Sequence, residues 1–394
     1  MKRNILFVIN NLNCGGAEKA LISVLQTINY EQFNVDLYLF QKEGLFYSNV
    51  PKEVKILQEP KDFKYFDMPI KKALLYTIRK GKMKTTISRI QAGIIFKVEK
   101  NPARCEQRVW RYLSNSIPSL EKTYDVAIGY LEKNPIYFCV DKVKAMKKIG
   151  FIHTDYDRMK MDPKIDRGYF EKLDHIVTVS EECARILKKK FARYSSKVQV
   201  MHNIISEKTI NKMAEERIEL SSTPNTFVSV GRLNQLKGFD IAIEACKLLV
   251  EEGYSFKWYV IGEGEERTNL ERLIKELGVE NYFILLGLKE NPYPYIRAAD
   301  IYIHPSRFEG KSIALDEAKI LKKPIVTTDF STVKDQITNK TNGLIVDMNA
   351  LAMFEGIKFL LNNYEMKLRF QDNLSNEELG SETEIEKLYS MFEA

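Results

Sequence analysis

Short apolar runs alternate with longer stretches of three-to-four-residue apolar spacing through most of the chain. The short runs predict strands over Ile5–Ile9, Val35–Leu39, Val126–Tyr130, Lys148–Ile152 and Ile176–Val179. The longer spacing predicts helices over Ala17–Ile28 and Glu181–Lys190. After a polar, weakly periodic stretch, His202–Pro224, the pattern restarts. Strands are expected over Phe227–Gly231, Lys257–Ile261, Tyr282–Leu285, Ile301–His304, Pro324–Thr328 and Leu344–Val346, with helices over Gly238–Glu252, Arg267–Leu277 and Ser312–Leu321. Strands alternating with helices build parallel sheets covered on both faces, so two such series predict two doubly wound α/β domains. They divide as residues 1–203 and 204–375, and the acidic tail 376–394 keeps helical spacing at Leu379, Ile385, Leu388 and Met391.

Composition narrows the class. Of 394 residues, 44% are hydrophobic and 29% charged, the balance of a globular protein with ample core. No apolar run approaches the ~18 residues of a membrane-spanning helix. The apolar run behind Lys2 and Arg3 is shorter than the ~7–15 residues of a secretion-signal core, so it is expected to be the first strand. Cys14, Cys105, Cys139, Cys183 and Cys246 are scattered, with no CxxC or Cys/His spacing. That disfavours a disulfide scaffold or structural zinc site and fits free thiols in a reducing cytoplasm.

Charge is informative because it is local. Residues 61–122 carry 15 Lys/Arg against 5 Asp/Glu, whereas the whole chain is only +7, so the remainder sums to −3. Apolar and aromatic residues interleave these cations at Pro69–Lys80, Ile90–Lys97 and Val109–Leu113. Basic amphipathic helices of that kind suit an anionic membrane surface, the alternative being apolar faces packed on the core with a solvated basic rim; no nucleic-acid signature accompanies them.

Candidate chemistry gathers where strands run into helices, the edge at which open parallel sheets bind ligands. The first strand leads to Gly15-Gly16-Ala17-Glu18 at a helix start, where glycines permit close backbone approach. In the second series, Gly231-Arg232 precedes Lys237-Gly238, and two cations there can clamp a diphosphate. Gly262-Glu263-Gly264-Glu265 resembles part of a dinucleotide fingerprint, but its carboxylates would repel phosphate, so a structural turn is expected. The most informative stretch is His304-Pro-Ser-Arg-Phe-Glu309-Gly310-Lys311-Ser312-Ile313, with Glu317 one helical turn further on. Backbone N–H groups of Lys311, Ser312 and Ile313 are expected to face a phosphate, with carboxylates on either side accepting from sugar and ribose hydroxyls.

In combination and in order, Gly15-Gly-Ala-Glu, His153-Thr-Asp, Val177-Thr-Val-Ser, His202-Asn, Gly231-Arg-Leu with Lys237-Gly, and the carboxylates Glu309 and Glu317 resemble a retaining glycosyltransferase of family 4. The resemblance covers essentially the whole chain. It implies the GT-B fold, two facing Rossmann-like domains with a cleft between them. The first would bind the acceptor, with 61–122 as its elaboration. The last helix would cross back to it, and the cleft would close by a hinge near 202–206 and 370–376.

It also implies roles. Gly16 would approach the donor phosphate or acceptor, and Gly15 and Glu18 would lie near the acceptor, although Glu18 equally suits the helix dipole. Arg232 and Lys237 would neutralise the leaving diphosphate, Glu317 would hold the ribose and Glu309 the donor sugar. His153 would bond a hydroxyl of the transferred sugar, Leu288 would lie at the base, and Lys311 would meet phosphate or sugar. The pair Lys311-Ser312 departs from the family's usual Phe-Gly or Phe-Pro after Glu-Gly, which blurs donor identity. No cofactor or metal is expected. The implied activity moves a hexose or N-acetylhexosamine from a nucleotide diphosphate sugar, UDP by family prior, to a glycan or lipid-linked acceptor in capsule, exopolysaccharide or related glycan synthesis. The enzyme would be cytoplasmic and peripheral at the inner membrane face. A GT-B sugar-nucleotide epimerase and a non-catalytic partner subunit are the alternative readings.

Overall fold

A computed structural model describes residues 2–13, 15–220 and 223–393; Cys14, singled out above, lies outside the described residues. The chain divides into two units, one of residues up to His202 together with those from Thr383 onward, the other Asn203–Glu382. Each is built on one parallel sheet.

In unit 1 the strands are β1 (Arg3–Ile9), β2 (Phe33–Leu39), β3 (Lys55–Ile56), β4 (Thr123–Gly129), β5 (Lys144–Ile152), β6 (His175–Thr178) and β7 (Val198–Val200), ordered β3-β2-β1-β4-β5-β6-β7. Ile5 to Ile9 are buried without exception, as expected of a central strand covered on both faces. In register, Ile5 lies opposite Val35 on one side and Val126 on the other. Strand order therefore reverses between β1 and β4. The edge strands β3 and β7 escape the periodicity because two or three residues carry no period.

In unit 2 the strands are β8 (Thr226–Val230), β9 (Lys257–Ile261), β10 (Phe283–Gly287), β11 (Ile301–His304), β12 (Ile325–Thr328) and β13 (Leu344–Val346), ordered β10-β9-β8-β11-β12-β13. Here the reversal falls between β8 and β11. Phe227, Trp258, Ile243 and Ile303 belong to a core that helices Phe239–Glu251 and Ala350–Asn362 close.

Two expectations need correction. Residues 376–382 stay with unit 2 rather than joining the returning helix: Glu377 accepts from Asn342 at 2.7 Å and pairs with Lys319 at 2.8 Å. Only Ile385–Glu393 forms the helix packed on unit 1, where the Tyr389 hydroxyl accepts the Asn29 N–H at 2.8 Å. The basic elaboration is helical, but its third apolar segment is not a surface. Helix Pro102–Leu113 buries Val109, Trp110 and Leu113 in the unit 1 core.

Candidate functional site

The strand-order reversal of unit 2 puts two loops side by side, one after β8 and one after β11. Beyond β8, Asn234 caps the short 3-10 turn Gln235–Lys237, and Gly238 adopts a left-handed conformation (φ 64°) before helix Phe239–Glu251. A Cβ on Gly238 would lie 2.1 Å from the Pro305 carbonyl oxygen, so the loops meet backbone to backbone. The Arg307 N–H donates to the Leu236 carbonyl at 2.7 Å, and the Arg307 guanidinium grips both Asp240 carboxylate oxygens at 2.6 Å. This splice brings Lys237 against Glu309.

Glu309 is the electrostatic centre. Its Oε1 accepts from Lys237 Nζ and, at 2.8 Å, from Ser306 Oγ, while His304 Nε2 lies 3.1 Å away. Its backbone carbonyl accepts the Thr332 hydroxyl at 3.1 Å. Burial alone would raise the carboxyl, but the Lys237 ammonium and the His304 contact outweigh it and hold the group at about 2. All these side-chain contacts fall on Oε1 and none on Oε2. His304, Ser306 and Thr332 were missed in the sequence; the first two stand within the quoted stretch, but only the loop's curl reveals them as partners.

The helix start is less open than expected. Ser312 caps helix Ile313–Ile320 through its hydroxyl, and its own N–H donates to Gln336 Oε1 at 2.8 Å. Gln336 in turn donates to the Ser312 carbonyl and to Asp316, each at 2.7 Å. Of the three N–H groups expected at a phosphate, that of Ser312 is thus already committed. Lys311 Nζ lies 3.8 Å from Asp316, largely shielded, rather than projecting as a free cation. Gly310 and Ile313 flank this cap, and Ile313 is itself buried. Glu317 is buried within the helix, its Oε1 accepting the Tyr293 hydroxyl at 3.1 Å.

Arg232 is the exposed cation of the set, 3.6 Å from Glu265. The Gly262 turn is structural, as a Cβ there would meet the Gly231 carbonyl oxygen at 1.9 Å. Leu288 stands exposed just past β10.

Unit 1 holds the remaining candidates at the carboxyl edge of its sheet. Gly15 is the N-cap of helix Gly16–Thr27, with no side-chain cap of its own. A Cβ there would fall 2.1 Å from Glu18 Oε2, so this carboxylate folds back over the helix start. His153 follows β5. Burial lowers its pKa to about 4 despite Glu132 and a hydrogen bond with the Tyr130 backbone, so the ring is neutral. Its Nε2 is buried without a partner and is free to accept. Glu132, unremarked in the sequence, positions this loop by accepting the His153 N–H at 3.2 Å and the Thr154 hydroxyl at 3.0 Å. Among the described residues no group of three or more His, Cys, Asp or Glu side chains is arranged to hold a metal ion, and no helix is long and apolar enough to cross a membrane.

Comparison with known proteins places this architecture. The chain superposes over its full length on the whole of S. aureus TarM, solved with fondaparinux, alpha-GlcNAc-glycerol and UDP, with a TM-score of 0.69 at 14% identity. The two units thus have the Rossmann-like form of the GT-B fold. In sequence, 218 residues are 30% identical to an uncharacterized glycosyltransferase of Haemophilus influenzae, covering 54% of this chain and 60% of that protein. Over 205 residues the chain is 30% identical to the Campylobacter jejuni N-acetylgalactosamine-N,N'-diacetylbacillosaminyl-diphospho-undecaprenol 4-alpha-N-acetylgalactosaminyltransferase, covering 52% of this chain and 55% of that one. The alignments therefore span somewhat over half the length of these relatives. Residues 212–376, nearly the whole of unit 2 with both of its loops, match the family model for glycosyl transferases group 1.

Proposed function

We propose that the protein is a retaining, metal-independent glycosyltransferase of family 4. It moves a hexose or N-acetylhexosamine from a nucleotide diphosphate sugar, a UDP-sugar by preference, to a glycan or lipid-linked acceptor at the inner membrane face. The observation that carries this reading is Glu309, saturated by donors on Oε1 and open on Oε2, at the strand-order reversal of a unit that matches the group 1 family model.

Breaking the anomeric C–O bond leaves positive charge on the sugar and negative charge on the departing diphosphate. Fixed cations aimed at that diphosphate stabilise the transition state more than the ground state. Arg232, exposed beside the loop, supplies one such charge. Lys237 supplies the other, shared with Glu309, so donor binding would loosen that ion pair as the diphosphate takes over the ammonium. A carboxylate held at about 2 is a poor nucleophile and a poor base. Glu309 therefore serves to orient a sugar hydroxyl and offset positive charge, and a leaving-group oxygen takes the acceptor proton on the same face. Glu317 would share its buried carboxylate between Tyr293 and the ribose. Neutral His153, with Nε2 open as an acceptor, suits a hydroxyl donor such as the sugar.

A panel of UDP-, GDP- and ADP-sugars, followed by calorimetry and nucleotide release, tests the reading. Binding of one donor with slow release of its nucleotide is expected. Isomerisation without release would make the protein an epimerase, and binding of none would make it a non-catalytic partner.

A further inference from the structure

The helical hairpin Ile70–Arg79 and Met83–Val98 is built inside out. Along its second helix, Met83, Ile87, Ile90, Ile94 and Val98 are 45–70% exposed, spaced as one continuous stripe. The residues it buries are Thr85, Thr86, Ser88, Arg89 and Ala92. The first helix buries only Ala73 and Thr77, and leaves Leu75 and Ile78 at least half exposed. A hydroxyl pair joins the helices, Thr86 donating to Thr77 at 2.9 Å, and Thr77 donates in turn to the Ala73 carbonyl of its own helix at 3.0 Å. Arg89 is buried and donates through Nε to the Tyr65 carbonyl at 2.8 Å and through Nη2 to that of Met68 at 2.9 Å, in the segment before the hairpin. Small and hydroxyl residues between helices with large apolar ones outside is the packing of helices whose surroundings are lipid. An exposed apolar patch of this extent marks a contact surface.

Charge selects the partner. Met68–Val98 contains eight Lys/Arg and no Asp/Glu, so two copies of this face would repel one another, whereas an anionic bilayer would attract it. At the hairpin's turn, Lys80-Gly81-Lys82, a pocket of about 220 Å³ opens against residues 59–65. Lys61, Lys64, Lys80 and Lys82 wall it, with Tyr65 and the single carboxylate Glu59, which accepts the Lys42 N–H at 3.1 Å. Lys82 is paired with Asp62, and Lys64 and Lys82 lie 5.8 and 5.7 Å from the Tyr65 ring centroid. Lys61 and Lys80 have no carboxylate partner among the described residues.

We propose that this lysine-walled pocket binds the phosphate of an anionic membrane lipid while the hairpin's apolar stripe lies among the acyl chains. The inference sharpens the membrane-face part of the proposed function: the contact is confined to the hairpin and its turn, and excludes the buried helix Pro102–Leu113.

Co-sedimentation of the full chain with vesicles tests it without any need for turnover. Binding is expected to equimolar phosphatidylglycerol and phosphatidylcholine at low salt, and not to phosphatidylcholine alone. The double variant I87S/I94S, changed only at exposed positions, should lose at least about tenfold in binding, as a stripe buried in lipid requires. An ordinary surface lysine near an anionic bilayer contributes about fivefold. K61Q/K80Q should therefore weaken binding at least about tenfold more than the control K97Q/K100Q, which changes equal charge outside the pocket. Equal binding to both vesicle types, or equal losses in the two lysine pairs, would overturn the proposal. So would a wild-type dimer that I87S/I94S dissociates. Donor hydrolysis is read in parallel: an inert donor assay beside intact vesicle binding sinks only the transferase reading.

Discussion

Three groups converge on one oxygen of Glu309, and in the proposed reading the other faces the donor sugar. Removing the charge while keeping the shape should spare the nucleotide subsite. Glu309→Gln is expected to cut transfer by about 10²–10³, with donor binding within a few-fold of wild type by calorimetry; full activity would end the assignment. His153 makes a separate prediction in pH. Its folded pKa of about 4 lies below the usual 6.5, so the neutral ring contributes stability that is present above pH 6.5 and lost as pH falls through 4. Thermal unfolding from pH 7 to 4 should show wild type losing up to about 3 kcal/mol more than His153→Gln across that window. At this scale the sequence was half legible. Glu309, Lys237 and His153 could be singled out because motif residues keep their order along the chain. Gln336 was not, since it reaches the Ser312 N–H from a different loop and no spacing rule connects residues 24 positions apart.

Among elements, the junction of the β8 and β11 loops decides whether Lys237 and Glu309 meet. Gly238→Ala would incur the left-handed backbone cost and press a methyl group into the Pro305 carbonyl. Gly253, also left-handed (φ 81°), has nothing within 4 Å of the same Cβ. Gly253→Ala is therefore the matched control. Urea unfolding should find both destabilised by about 1–3 kcal/mol, with Gly238→Ala the worse and the only one to lose donor turnover. Most strands were legible because buried parallel strands are unbroken apolar runs, as Ile5–Ile9 illustrates. The hairpin was read correctly as basic and amphipathic, but Val109 and Trp110 share that pattern and are core. Periodicity gives a helix its apolar face without telling what covers it.

For the molecule as a whole, helix Ile385–Glu393 completes unit 1 from the far end of the sequence. Leu388, Met391 and Phe392 are buried, and the Phe33 ring packs tilted against that of Tyr389, centroids 5.2 Å apart. Burying such side chains contributes about 1.5–3 kcal/mol each. Deleting residues 383–394 should lower the unit 1 transition by about 10 °C or more and leave that of unit 2 unmoved in calorimetry. The two-unit plan was legible from the restart of the pattern after His202. The true re-entry point was not, because Glu377 and Ser381 hold their segment to unit 2 by polar contacts, Ser381 donating to the Asn203 carbonyl at 2.7 Å.

That re-entry has a consequence for how the protein is made. Asn29 waits for a partner 360 residues downstream, and a ribosome needs about 10–40 s to translate the intervening unit 2. The unit encoded first therefore cannot be completed before the one encoded second has been translated. The unit encoded first stays incomplete meanwhile, its Phe33 face uncovered on the nascent chain and open to chaperones that hold apolar surface.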